Sequence, residues 1–268
     1  MLSLALQNLR RDSEMRVATD TRVSPLWMLL PVGEAVLGVI YFAVIMAMVF
    51  AAIGPDYTSG AGYDFSSISG LISGTTAFFM LGFVLLYLAF LYVIYTLIRR
   101  RNGHFARQQR LFTDLEAALR EIASKKGTGV DSYLGSFDAT LRESQIEETE
   151  KSAVLWVILY VIPVVNLIAG LYILYFLTGD YFKHERREDA MIADASRALS
   201  ALGIGFSFNR YEPLPNRSFV LYIILTLITL GIFSFYWEYV LIQDPNKHFA
   251  NHVRFEESLL QSIAPVLT

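Results

Sequence analysis

Histidine is rare in this chain, and its positions follow a pattern. Three of the four histidines in the 268 residues stand seven residues after the leucine of a Y-x-x-Y-x-L motif, and each motif ends a hydrophobic segment. The repeated positions are Tyr92, Tyr95, Leu97 and His104, then Tyr172, Tyr175, Leu177 and His184, then Tyr236, Tyr239, Leu241 and His248. Imidazole is a ligand for Zn, Ni and Cu, so three equivalent histidines around a pseudo-symmetric axis could hold one metal ion.

The last repeat carries further metal-ligand types. His248, His252 and Glu256 stand at i, i+4 and i+8, on one helix face. The glutamate is two turns from His248, so one ion could not easily bind both. Alternatively, each histidine flanks the start of a helix at the membrane interface, where an amphipathic ring suits the headgroup region. We prefer this alternative and predict no metal, no cofactor and no catalytic residue. The metal candidates in the other case are His104, His184, His248, His252 and Glu256.

A second group of polar residues lies within or beside the hydrophobic segments. An intramembrane polar or ionisable group is a candidate for a proton or ion site. The structural alternatives are a boundary position for the carboxylate, an amide that satisfies a carbonyl freed by Pro163, and tyrosine anchors at the membrane surface. We prefer these structural roles. The residues of this candidate intramembrane polar site are Glu34, Asn166, Tyr92, Tyr172 and Tyr236.

The composition indicates a membrane protein. Apolar residues make up 54% of the chain and charged residues 18%, and one soluble core of this length cannot bury so much apolar surface. The apolar residues form stretches of about 20 or more, the length that crosses a hydrocarbon layer. These stretches are approximately Gly33–Ile53, Thr75–Ile98, Ala153–Leu177 and Phe219–Ile242. The absence of cysteine excludes disulfides and thiolate metal sites, and the interspersed charges with a net charge of −3 argue against nucleic acid binding.

The distribution of Lys and Arg predicts the orientation of the first two segments. The predicted loop over residues 54–73 contains no Lys or Arg, whereas Arg99, Arg100 and Arg101 follow the second segment. The positive-inside rule therefore predicts a cytoplasmic N-terminus, cytoplasmic residues 99–152 and an outside loop 54–73.

The last two segments allow two topologies. Four plain spans would put residues 178–217 outside, although this stretch holds six basic residues. Re-entrant hairpins bent at Pro163–Gly170 and near Thr229-Leu230-Gly231 would keep it inside, with half-helices of about 10–12 residues that reach across one leaflet. Such hairpins need protein or water partners for their backbone groups. Both topologies remain open at this stage.

Amphipathic helices are predicted after the hydrophobic segments. Apolar residues with helical spacing follow His104, His184 and His248, and a further such pattern begins at Val130. Helices of this kind lie along the interface or pack on one another. The predicted modules are 1–126 (an N-terminal helix, two membrane segments and the first amphipathic helix), 127–152 (helical linker), 153–205, 206–217 (linker) and 218–268.

The fourth segment carries a family resemblance. Thr229-Leu230-Gly231-Ile232-Phe233 followed by Phe235-Tyr236-Trp237 resembles the T-L-G-I-[YF]-x-x-[YF]-W signature of a widespread, uncharacterised prokaryotic family of small membrane domains. The resemblance covers about 30 residues and is restricted to the third repeat. It implies a membrane domain with amphipathic neighbours and supplies no activity or catalytic residue.

The predicted fold class is an all-α polytopic membrane protein with a threefold internal repeat. We expect a multi-pass protein of the plasma membrane that is not an enzyme, since no hydrophobic segment holds a histidine that could serve as a base for a serine nucleophile. The expected role is a scaffold, assembly or membrane-shaping protein. Its expected partners are the lipid bilayer and either further copies of itself or another membrane protein. The alternatives are a small channel or transporter and a histidine-dependent metal site.

Overall fold

The computed structural model describes residues 3–59 and 66–268, with side chains described outside 53–68. All secondary structure in these described ranges is helical, as the composition predicted. The α-helices are α1 Leu4–Glu14, α2 Arg16–Thr19, α3 Leu30–Ser59, α4 Ser66–Lys126, α5 Asp131–Glu147, α6 Ala153–Val161, α7 Val165–Ala201, α8 Phe219–Ile228 and α9 Ile232–Leu267. A short 3-10 helix, Pro25–Leu29, precedes α3.

The chain forms two compact units. The smaller unit is Leu26–Ile94, and the larger unit combines Met1–Pro25 with Tyr95–Thr268. These units do not coincide with the modules predicted from the sequence, because the N-terminal segment packs with the end of the chain. The backbone N–H of Ser3, for example, donates to the carbonyl of Leu267 at 3.0 Å.

The smaller unit consists of α3 and the first part of α4. Its two helices approach closely at Gly82, where an added Cβ would stand 3.0 Å from the side chain of Leu37. Tyr41 and Thr76 form a hydrogen bond between the helices at 3.3 Å. The loop predicted over 54–73 lies partly outside the described residues, and its described parts are helical because α3 extends to Ser59 and α4 begins at Ser66.

The larger unit is a helical bundle whose core confirms the predicted amphipathic faces. Apolar residues of α1, α4, α5, α7 and α9 form one buried cluster, so the polar-sided helices pack on one another. Leu6, Phe112, Leu134, Leu199 and Phe255, one from each helix, are at most 1% exposed.

α6 and α7 form a helical hairpin. α6 ends at Val161 and α7 begins at Val165, and between them Pro163 has no N–H to donate while Val164 has a φ of 70°. The rings of Trp156 and Tyr172 stack with centroids 4.5 Å apart, so the two arms run antiparallel.

α8 and α9 form a second helical hairpin, and the T-L-G-I motif makes its turn. Leu230 and Gly231 have φ values of 51° and 92°, and glycine adopts such a conformation at little cost. The hydroxyl of Thr229 accepts a hydrogen bond from the backbone N–H of Phe233 at 2.9 Å and caps the first turn of α9. The rings of Tyr222 and Phe233, 5.0 Å apart, pack the two arms together.

Three of the described helices are long and apolar enough to cross a membrane, as expected for a membrane protein. They are Pro25–Ala52, Ser69–Lys126 and Val165–Ala201, while the apolar helix Phe219–Ile228 is shorter. A helix of 61 residues such as α4 is about 92 Å long, far more than the thickness of a bilayer. Only its apolar part can lie in the hydrocarbon layer, so the polar part that follows Arg99 lies outside it.

Candidate functional site

Five ionisable side chains from three helices meet inside the larger unit. α4 contributes His104, α7 contributes His184 and Glu188, and α9 contributes His248 and His252. All five residues are at most 2% exposed. Residues four apart lie on one helix face, so the pairs on α7 and α9 each point to the same side. We call these five residues the histidine cluster.

The Nε2 atoms of the imidazoles converge on the centre of the histidine cluster. Nε2 of His248 lies 3.0 Å from Nε2 of His104 and 3.1 Å from Nε2 of His252. The carboxylate of Glu188 completes the centre, with Oε1 2.9 Å from Nε2 of His184 and Oε2 3.0 Å from Nε2 of His252. His104, His184, Glu188 and His248 each offer one ligand atom, and these four atoms all lie within 4.8 Å of one another.

The Nδ1 atoms of the three repeated histidines each face a different carboxylate. The distances are 3.0 Å from His104 to Asp20, 2.8 Å from His184 to Glu148 and 2.7 Å from His248 to Glu185. A carboxylate accepts a hydrogen bond from Nδ1–H, and in the neutral ring the lone pair is then on Nε2. In its neutral form each repeated histidine therefore directs an acceptor nitrogen at the centre.

His252 has the opposite arrangement. Its Nδ1 lies 2.7 Å from Nε2 of Gln108, and the same amide nitrogen lies 3.2 Å from Oε1 of Glu256. An amide nitrogen can donate to both atoms, whereas its oxygen would face the carboxylate unfavourably, so the amide donates to Nδ1. With this amide orientation the neutral ring of His252 carries its proton on Nε2 and donates to Glu188. Burial opposes a second proton, but Glu188 and Glu256 outweigh it and raise the pKa of His252.

Buried arginines hold the carboxylates in place. Arg107 donates to Asp20 at 2.8 Å and to Glu256 at 2.6 Å, and its side chain is 0% exposed. Arg210 donates to Glu188 at 2.8 Å. Buried ions need such paired partners, because their desolvation is otherwise strongly unfavourable.

The surroundings separate the pKa values of the histidines. Burial lowers the pKa of His104 to about 4, although Asp20 opposes this shift. Burial opposes protonation of His184 too, but Glu188 and Glu148 outweigh it and raise its pKa to about 9. Burial lowers the pKa of His248 well below its ordinary value. At neutral pH the ion-free cluster therefore holds a proton on His184, while His104 and His248 are neutral.

Two buried atoms at the centre lack a hydrogen-bond partner. They are Nε2 of His184 and Oε1 of Glu188, which lie close together but not in hydrogen-bond geometry. Such groups are uncommon in proteins and call for a specific explanation. The arrangement has two chemical uses, the sharing of protons among imidazoles and carboxylates and the binding of a cation at the Nε2 atoms. It offers no surface to a larger substrate.

Contrary to the prediction from the sequence, the histidines do not flank the starts of helices at the membrane interface. The apolar segment and the amphipathic segment of each repeat form one continuous helix, so His104, His184 and His248 lie within α4, α7 and α9. Burial among carboxylates replaces the headgroup environment. Of the other two metal candidates, His252 joins the cluster and Glu256 lies 3.7 Å from Nδ1 of His252, in the surrounding layer.

The residues of the candidate intramembrane polar site have separate surroundings. In the larger unit, Asn166 is exposed beside the turn of the first hairpin, Tyr172 stacks on Trp156, and the hydroxyl of Tyr236 accepts a hydrogen bond from Arg217 at 3.1 Å. In the smaller unit, Glu34 is half-buried on α3 and Tyr92 is 61% exposed on α4.

Sequence reasoning missed Glu188 and the surrounding carboxylates. A signal was available, because the residue four positions after each repeated histidine is Gln108, Glu188 or His252, and all three belong to this region. The carboxylates of Asp20 and Glu148 lie on segments outside the repeat. No sequence spacing relates them to the histidines.

The comparisons with known proteins are restricted to one family. Residues 217–267 match the model of a domain of unknown function, DUF4234. This match spans α8, the turn with the T-L-G-I motif, and all of α9, including His248 and His252. Neither a curated protein nor a solved structure shows significant similarity to the chain.

Proposed function

We propose that this protein is a non-enzymatic membrane scaffold whose helical bundle lies on the cytoplasmic side and whose two hairpins each enter one leaflet from that side. The observation that carries the proposal is that both ends of each hairpin are tied together by one arginine. The hairpins would act as wedges that anchor and shape the membrane, while the bundle fixes their spacing.

Arg101 ties the ends of the α6–α7 hairpin. It donates to the carbonyl of Thr149, just before α6, at 2.8 Å, and to the carboxylate of Asp180 on α7 at 2.6 Å. A single straight span over 153–177 would separate its ends by about 37 Å. Because Arg101 contacts residues at both ends of the segment, the segment is expected to enter and leave the membrane on the same side.

Arg217 ties the ends of the α8–α9 hairpin in the same way. It precedes α8 and donates to Asp244 of α9 at 3.0 Å. The turns of both hairpins are apolar and open, since Val164 is 85% and Leu230 94% exposed. Arms of 9 and 10 residues, α6 and α8, reach about 14–15 Å, half of a hydrocarbon layer of roughly 30 Å.

This topology also accounts for the basic residues of 178–217. Arg187 and Arg210 contact carboxylates of the bundle, and a cytoplasmic bundle satisfies the positive-inside rule for them. The smaller unit would supply two plain spans, and the exposed apolar surface of α3 would meet lipid or a neighbouring copy. The histidine cluster is buried and offers no access to a substrate, which supports a role in assembly.

The test of this topology uses the absence of native cysteine. Ser207→Cys, exposed between α7 and α8, is labelled with a membrane-impermeant thiol reagent in intact cells, with Ser59→Cys as the outside control and Ser124→Cys as the inside control. We expect Ser207→Cys to be protected in intact cells and labelled after lysis. Labelling from outside would overturn the re-entrant topology.

The membrane-shaping role has its own measurement. Purified protein reconstituted into large vesicles should increase their curvature in electron micrographs, and its oligomeric state is read by light scattering in detergent. A strictly monomeric protein that leaves vesicle shape unchanged would contradict the scaffold role.

A further inference from the structure

We propose that the histidine cluster binds one divalent transition metal ion, best matched by Zn²⁺, through Nε2 of His104, His184 and His248 and the carboxylate of Glu188. This inference is independent of the membrane topology. It assigns a structural metal centre to the bundle and gives the three repeated histidines one shared purpose.

The donor atoms of the three repeated histidines point toward one centre. The Nδ1 atoms of His104, His184 and His248 face Asp20, Glu148 and Glu185, respectively, at 3.0 Å or less. A carboxylate behind each metal-binding histidine fixes the tautomer and the ring orientation and makes the ligand more basic. In the neutral rings, these three outer carboxylates leave Nε2 of each histidine as the inward acceptor, which is the arrangement that a metal ion needs.

The spacing of these donor atoms is close to that of a tetrahedral zinc site. Zn–N bonds of about 2.0–2.1 Å give a tetrahedron whose edges are about 3.3 Å. The inward atoms of His104 and His248 are 3.0 Å apart, and Nε2 of His248 is 3.5 Å from Oε2 of Glu188. The four ligand atoms need only small shifts to surround one ion, because all of them already lie within 4.8 Å of one another.

Nε2 of His184 and Oε1 of Glu188 also point to an ion, and both belong to the proposed ligand set. They are buried and make no hydrogen bond, although they face each other as an ion pair at 2.9 Å. A cation between the ligands would satisfy both atoms at once, whereas without it each has only the other, outside hydrogen-bond geometry.

The donor set also selects the kind of metal. Three imidazoles and one carboxylate suit Zn²⁺ and related borderline ions, whereas Ca²⁺ and Mg²⁺ prefer sites made of oxygen ligands. Four protein ligands in a fully buried site leave no open position for a water or substrate, which is the arrangement of a structural zinc site. The ion would join α4, α7 and α9.

His252 is excluded from the ligand set by its tautomer. Its Nδ1 accepts from Gln108, so its Nε2–H donates to Glu188 and cannot bind a metal. It is a positioning residue that orients the carboxylate ligand. His252 therefore supports the ligand set from within the cluster, and it is as buried as the ligands.

The experiment measures metal in the full-length protein purified in detergent. We expect about one zinc per chain by elemental analysis after purification without chelator. After removal of the zinc, Co²⁺ should bind with the intense visible absorption of a tetrahedral site. Wild-type protein that holds no zinc, and takes up neither Zn²⁺ nor Co²⁺ at micromolar concentrations, would overturn the proposal.

Variants distinguish the ligands from their neighbours. His184→Ala should reduce bound zinc at least tenfold, Glu148→Gln and His252→Gln should weaken zinc affinity by about 10- to 100-fold, and the exposed Arg120→Met should keep about one zinc per chain. Full zinc binding by His184→Ala would overturn the ligand set. If His184→Ala does not fold, the Co²⁺ spectrum of the wild-type protein still decides between a tetrahedral site and none.

The metal proposal and the topology proposal can be disproved independently of each other. Metal content is measured in detergent and does not depend on which side of the membrane the bundle faces, whereas the labelling of Ser207→Cys does not depend on metal.

Discussion

The two hairpin turns and the histidine cluster place opposite kinds of residue in unexpected positions. The turns expose large apolar side chains, with Leu230 at 94%, whereas the cluster buries ionisable groups, with Glu188 at 0%. Each region is stable only in its own surroundings, since an exposed apolar turn needs lipid and a buried charge needs partners. In the proposed topology, α7 and α9 therefore lie in lipid at the hairpin turn and in the protein interior at the cluster.

The largest expected effect comes from breaking a buried ion pair beside the cluster. Arg107→Met leaves Asp20 and Glu256 without their shared guanidinium, and such a change costs about 3–5 kcal/mol. Denaturant unfolding in detergent measures this loss. The matched control is Arg120→Met, at an exposed pair with Glu116, which should change the free energy of unfolding by less than about 0.5 kcal/mol. Equal effects of the two variants would contradict the idea of a tightly paired interior.

A charge at a hairpin turn tests the other side of the comparison. Leu230→Lys should disfavour insertion by about 2.5–3.5 kcal/mol if the turn reaches the middle of the bilayer. The readout is a thiol reagent applied to opened membranes, with Ile228→Cys as the reporter. This cysteine should be protected alone and labelled when combined with Leu230→Lys.

The exposed Ile146 of α5 provides the control for that experiment. It is 73% exposed, similar to Ile228 at 72%, but belongs to the bundle. Ile146→Cys should be labelled in opened membranes with or without Leu230→Lys. Protection of Ile146→Cys, or labelling of Ile228→Cys alone, would remove the distinction between the two regions.

The pH dependence of the ion-free bundle should be a smaller effect. The pKa of His184 is raised to about 9 in the folded protein, so protonated His184 stabilises the fold fully below the unfolded value of about 6.5. This stabilisation is lost as the pH rises through 9. Thermal unfolding with a chelator present should therefore give a lower midpoint at pH 9 than at pH 6. A midpoint that rises over this interval would show that another group controls the stability.

The smallest expected effect is at the cap of α9. Thr229→Ala removes the hydroxyl that accepts from the N–H of Phe233 and should cost about 1 kcal/mol. Thr140→Ala is the control, because this exposed hydroxyl bonds only to a carbonyl within its own helix. Denaturant unfolding of both variants checks the difference, and a loss confined to Thr140→Ala would contradict the capping role.

Helices were predictable from this sequence because their signals are local. The spacing of Phe112, Leu115 and Leu119 predicted a buried face, and all three are 0% exposed. The sequence left open whether the chain bends at Pro163–Gly170 and near Thr229-Leu230-Gly231, where helix-breaking residues interrupt apolar runs, and in the structure one helix ends and another begins close to both places. The loop over 54–73 was predicted poorly, since glycine and serine there did not prevent α3 and α4 from extending into it.

The candidate site was only half predictable. The repeated histidines were visible from their spacing, but their preferred interpretation failed because a local pattern does not reveal which helix faces meet. Asp20 and His104 are 84 positions apart, and Glu148 and His184 are 36 apart. Contacts over such separations depend on how the helices pack, so no periodic pattern in the sequence reveals them.

The sequence by itself determined a membrane protein made of helices, the apolar faces of its bundle and the repetition of its histidines, because hydrophobic length and periodicity act locally. Only the tertiary structure decided that the repeated histidines share one centre, that outer carboxylates orient them, and that single arginines join both ends of each hairpin. Helix packing brings distant residues together, and burial then makes each of them depend on a partner that the other helices must supply.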